Sequence, residues 1–98
     1  MIQNIYIAPN KKTEKEQLIE IVRKAYENYD IIRFIFDLKN ERINIDSVKK
    51  FSDLFDNFKE DTKNKLVETC VIIEDKLSAN IFQKGIDMVK LVKPVKII

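Results

Sequence analysis

The chain contains no histidine, no tryptophan, a single cysteine (Cys70), a single glycine (Gly85) and two prolines. Each scarcity closes off some chemistry. Without histidine there is no His-based triad and no imidazole metal site, and one thiol cannot build a thiolate zinc site. One cysteine also forbids a disulfide within the chain, which fits a reducing compartment. Phosphate-cradling loops need several glycines where backbone approaches the ligand, so Walker and dinucleotide loops are absent. No stretch reaches the roughly 20 apolar residues of a bilayer span. Met1-Ile2-Gln3-Asn4 reads as the beginning of a strand rather than as a secretory leader, and cytoplasmic location is the expectation. A one-sided charge is missing too. Lys+Arg 18 against Asp+Glu 16 leave a net charge of +2 with the signs interleaved, which argues against nucleic acid as a partner. The locally basic segment from Lys90 to Lys96 reads as a solvated helix end and edge strand, since helix C-termini favour cations.

What remains is a chain of 98 residues, enough for one core, so residues 1–98 are read as a single domain. Ile2, Ile5, Tyr6 and Ile7 make a first strand, closed by Pro9-Asn10. Thr13 is the expected N-cap of a first helix, with Glu16 as its capping-box partner. That helix sets Leu18, Ile21, Val22, Ala25 and Tyr29 on one face, with Tyr26 at its border. Ile31 to Leu38 is a second strand whose continuous apolar run predicts cover on both faces. A second helix starts near Asp46 and buries Val48, Phe51, Leu54, Phe55 and Phe58, whose spacing favours core packing over an aromatic ligand stripe. Lys59 to Lys65 reads as a charged connection. Val67 to Ile73 is a third strand, with Cys70 as a small buried hydrophobe. A third helix starts near Ser78 and carries Ile81, Phe82, Gly85, Ile86, Val89 and Val92 on one face. Gly85 costs about 1 kcal/mol relative to Ala, so its place on that face predicts close backbone packing on the sheet. Pro94 stops the helix, and Val95 to Ile98 forms a last strand at an edge. The expected fold class is α/β, in the order β-α-β-α-β-α-β, with a mostly parallel four-stranded sheet and three helices. Sites in open sheets of this kind lie beyond the carboxyl ends of the strands. Here those ends are Pro9-Asn10, Asp37 to Ser47 and Glu74 to Ser78.

The stretch from Ile31 to Phe55 carries a family resemblance. Phe36-Asp37-Leu38-Lys39 ends the second strand, and Ile45-Asp46-Ser47-Val48-Lys49 opens the next helix. This resembles the STAS domains (sulphate transporters and anti-sigma-factor antagonists), where a strand ends in Asp-Leu-Ser/Thr and Ile-Asp-Ser-Ser/Thr-Gly opens a helix. The later strand, helix and terminal strand fall in the same order, so the resemblance covers almost the whole chain. It implies a non-catalytic regulatory domain that binds a kinase-like or sigma-like protein, without a cofactor or metal. It also implies a hydroxyl residue at the helix start that accepts phosphate, since roughly −1.5 to −2 of added charge expels a partner. The chain departs from the pattern in places. Val48 stands at the usual phosphoacceptor, Lys49 at the usual glycine, and Pro9-Asn10-Lys11-Lys12 replaces the glycine after the first strand.

The candidate partner-binding or regulatory residues are therefore Asp37, Asp46, Ser47, Lys49 and Lys50, within a surface running from Asn40 to Lys50. Ser47 is the remaining phosphorylation candidate, against the alternative that Asp46 or Ser47 simply caps the helix. Two other functions are carried alongside. One is a nucleotide-binding protein or enzyme using Asp37, Asp46 and Ser47, with Asp37 and Asp46 as a carboxylate pair for Mg²⁺. The other is a homodimer formed through the edge strand Val95 to Ile98.

Overall fold

Burial alternates along the central strand: Ile32, Phe34 and Phe36 are buried, while Arg33, Ile35 and Asp37 are half-buried. A computed structural model describes residues 1–39, 41, 43–89 and 91–98, and in it this strand is flanked on both sides. Asn40 and Lys90, which open the two surface segments singled out from the sequence, lie outside the described residues. The elements run β1 (Gln3–Ile7), α1 (Lys15–Asn28), β2 (Ile32–Asp37), α2 (Ile45–Asp56), α3 (Lys59–Lys65), β3 (Leu66–Ile72), α4 (Lys76–Met88) and β4 (Val95–Ile97).

The sheet order is β1-β2-β3-β4, and every pairing is parallel. Strands that succeed one another in space as in sequence, joined by right-handed crossovers, put every helix on the same face. The ring contacts agree. Phe34 of β2 meets Tyr26 of α1 and Phe55 of α2, Phe36 meets Phe51 of α2, and Phe51 meets Phe82 of α4. One layer of helices therefore covers one face of the sheet. The expectation that both faces of β2 are covered is corrected here. A continuous apolar run cannot distinguish the two cases, because Ile35 is apolar on the less protected side.

That second face is managed by polar groups. Arg33 Nε donates to Glu68 Oε1 at 3.0 Å, and Arg33 Nη1 donates to Asn4 Oδ1 at 3.4 Å, tying three strands together in one row. Such half-exposed ion pairs contribute about 0–1 kcal/mol, so their main effect is to keep the open face wet and specific. Cys70 lies on this face in register with Ile35, largely buried, and burial pushes its thiol up from the ordinary value.

A fourth helix, α3, occupies the segment expected to be a connection. Only Thr62 of it is buried, so it lacks the apolar stripe that marks a helix in sequence. Its support is electrostatic and tertiary. Glu60 and Asp61 sit in the first turn, Lys63 and Lys65 in the last, and the buried Thr62 hydroxyl shares a 2.7 Å hydrogen bond with the Tyr26 phenol. Tyr26 is 1% exposed rather than partly exposed, and burial pushes its phenol up to about 12. Tyr29, placed by its spacing on the apolar face of the first helix, is exposed instead, and so is Tyr6 of β1.

Other boundaries shift by a few residues. The N-cap of α1 is Glu14, in a reciprocal box with Gln17, while the Thr13 hydroxyl accepts from the Asn10 N–H. Helix α4 begins at Lys76, where Asp75 accepts from the Ser78 N–H at 2.9 Å, and it ends at Met88, short of Val92. β4 is an edge strand, as expected.

Gly85 packs closely, but against a helix rather than the sheet. A Cβ built on it would lie 2.6–2.8 Å from three side-chain atoms of Val48, so α4 and α2 touch through the missing side chain. Gly85→Ala is expected to destabilise by about 1–3 kcal/mol through overpacking, against the roughly 1 kcal/mol that Ala gains in helix propensity. Urea unfolding of Gly85→Ala, Val48→Ala and the double variant checks this. The double variant should be more stable than the sum of the singles, because the smaller residue at 48 makes room for the new methyl.

Candidate functional site

The junction from β2 to α2 is built from short-range hydrogen bonds around two buried anchors. The Leu38 N–H donates to the Ile72 carbonyl at 2.9 Å, continuing the sheet by one bond past β2. Leu38 and Ile43 are buried and pin the loop at both ends. Asn44 then caps α2: its Oδ1 accepts from the Ser47 N–H at 2.9 Å, and its own N–H donates to Ser47 Oγ at 3.3 Å. The cap is thus Asn44, not Asp46 or Ser47, and the Ser47 hydroxyl is the returning half of the box. An Asn followed three residues later by a Ser was the available sequence signal for this arrangement.

The residues singled out from sequence separate into three groups. Asp37 shares the open sheet face with Arg33 and Ile35, where its carboxylate accepts from the Tyr6 phenol and, at 3.1 Å, from the Lys39 N–H. Ser47 and Lys50 face the helix side of the sheet and line a cleft. Asp46 and Lys49 are exposed and belong to neither. The Asp37 carboxylate is therefore not assembled with Asp46 and Ser47. Among the described residues, no group of three or more Asp, Glu, Cys or His side chains is placed to hold a metal ion.

The hydrogen bond from Tyr6, and after it the one from the Lys39 N–H, holds the Asp37 carboxyl below its ordinary value, while the same partnership raises the Tyr6 phenol. The folded value lies below the unfolded one, so the stabilisation is complete above the unfolded value of about 3.9. It is lost as pH falls through the depressed folded value. Tyr6→Phe should move Asp37 back toward the ordinary carboxylate range and flatten the stability profile just below pH ~4. A carbon-detected titration of the Asp37 carboxyl reads this directly; an unmoved midpoint would mean that Tyr6 does not hold it.

Val48 is 2% exposed and packs against Gly85 between α2 and α4, so residue 48 is a core position. Three residues earlier, at the first position of the helix, Ile45 is 60% exposed although Val48, Phe51, Leu54 and Phe55 of the same helix are buried.

The cleft lies at the carboxyl ends of β1 and β2, where sites in parallel sheets are expected. Its volume is about 460 Å³. The floor comes from Leu18 of α1, Phe36 of β2, Phe51 and Leu54 of α2 and Phe82 of α4. Around the mouth stand Lys11, Lys15, Lys50 and Glu41. No sequence motif announced Lys11 and Lys15, which reach the site only because the β1–α1 turn folds over the strand ends. Among the described residues, no helix is long and apolar enough to cross a membrane. Comparison with protein-family models, with curated proteins and with solved structures gives no match.

Proposed function

We propose that this chain is a non-catalytic protein-interaction domain of STAS type, which meets a kinase-like or sigma-like regulatory protein through the start of α2. The observation that carries this reading is Ile45. It is a large apolar side chain, 60% exposed, at the first turn of a helix whose other large apolar residues are buried. It is flanked by exposed Asp46 and Lys49. An apolar centre with a charged rim is the usual anatomy of an interface anchor. The order of strands and helices and the two partial motifs around Asp37 and Asp46-Ser47 support the same reading.

The family's phosphate switch is not part of the proposal at position 48, because valine has no acceptor and is buried. If Ser47 carries the switch, phosphorylation has to break the Asn44–Ser47 box first, which couples regulation to fraying of the α2 start. Affinity capture from the native lysate tests the interface. Ile45→Glu should lose the retained protein, whereas Leu77→Glu, at an exposed leucine of α4, should keep it. Equal retention by both variants would remove Ile45 from the interface.

A further inference from the structure

We infer that the cleft between α1 and α2 is a binding site for a free amphipathic carboxylate of medium chain length. Three observations converge on that class, and none depends on the partner-binding role of Ile45.

The first is size. About 460 Å³ falls inside the range of roughly 300–1,000 Å³ typical of small-molecule sites. It suits one small molecule and is too small for a folded partner. The second is the floor. Leu18, Phe51 and Leu54 offer carbon surface, and the Thr13 and Ser47 hydroxyls that also line the cleft are already hydrogen-bonded to Asn10 and Asn44. A ligand whose body needs several hydrogen bonds, such as a nucleobase or a sugar, would leave those groups unpaired, at a cost of about 1–3 kcal/mol each. An alkyl or aryl body has no such groups to lose. The third is charge. Lys11, Lys15 and Lys50 stand at the mouth, against Glu41 as the one carboxylate among the described lining residues. All three lysines are exposed, so their ammonium groups can turn toward a bound anion without being buried in the free protein. An apolar floor under a cationic mouth matches a tail with one anionic head.

The two parts divide the work. Burial of the tail supplies most of the affinity and should scale with chain length. The lysines are exposed, so they select for the anionic head with an energy that salt screens.

Isothermal titration with decanoate, octanoate and decanol, all below their aggregation limits, tests the assignment. Decanoate is expected to bind more tightly than octanoate by roughly 15-fold, at about 0.8 kcal/mol for each of two methylenes, and more tightly than decanol at low salt. Lys15→Glu combined with Lys50→Glu should weaken decanoate by tenfold or more and remove its advantage over the alcohol. Leu18→Trp, which fills the cleft from a half-buried position, should abolish binding. Circular dichroism of each variant verifies that the fold persists, and amide shifts of Thr13 and Leu54 in the unaltered chain locate the ligand independently of any substitution. Absence of decanoate binding up to millimolar concentration, equal binding of decanoate and decanol, or shifts confined to the open sheet face would each overturn the proposal.

Discussion

Val48→Asp is expected to unfold the domain or bring it to the edge of unfolding. Val48 is 2% exposed, with its β- and γ-carbons packed against Gly85. An uncompensated buried charge costs about 3–5 kcal/mol, from a total that for a domain of this size is about 5–15 kcal/mol. Ser47→Asp, one residue away, should stay within about 1 kcal/mol of the parent. It gives up the Ser47 half of the capping box but adds a negative charge at a helix start, where the macrodipole favours it. Urea midpoints for the two variants compare adjacent positions directly. If Val48→Asp unfolded at the parent's midpoint, α2 would have to be rotated from the orientation described, with residue 48 on its surface rather than against Gly85.

Phe34→Ala should cost about 3–5 kcal/mol, the usual price of an aromatic truncation in a core. Phe34 has no exposed surface, and its ring meets Tyr26, Phe36 and Phe55 at centroid distances of 5.6, 6.2 and 5.9 Å. It is the point where β2, α1 and α2 are pinned together. Ile35→Ala makes the comparison informative. Ile35 is the next residue in the strand but lies on the open face, half-buried, so its truncation leaves no sealed cavity and should cost less than half as much. Chemical denaturation of the two variants therefore measures how one-sided the sheet is. Equal costs would mean that something covers the second face.

This asymmetry was not legible in the sequence. Period and punctuation alone define β1, β2, β3 and β4 to within two residues, because Pro9-Asn10, Asp37 and Glu74 close the first three apolar runs and Pro94 opens the fourth. The number of covered faces depends on strand order, which no local pattern encodes. Ile35 and Cys70 are apolar on a face that has no helix, and only the polar row of Asn4, Arg33 and Glu68 hints at solvent. Helix α3 was invisible for a related reason. Its seven residues bury one threonine, whose partner Tyr26 is 36 positions away. Gly85 signalled close packing, yet the element it touches became clear only when α4 was set beside α2. The candidate site was half legible. Residues 43–50 lead into α2 after β2, as the punctuation predicts, and Ser47 and Lys50 line a cleft that no motif announced. Asp37 was grouped with them by sequence proximity, but strand alternation turns it to the opposite side of the sheet. Ile45 was read as part of a motif; its exposure depends on how α2 lies on the sheet.

Hydrogen exchange of the whole chain, free and bound to the protein it captures, tests the proposed interface most directly. Protection gained on binding should concentrate at residues 43–50, around the exposed Ile45 and the Asn44–Ser47 cap, with little change at Arg33, Glu68 or β4. Protection gained instead along β4, or across the open face of the sheet, with residues 43–50 unchanged, would contradict it.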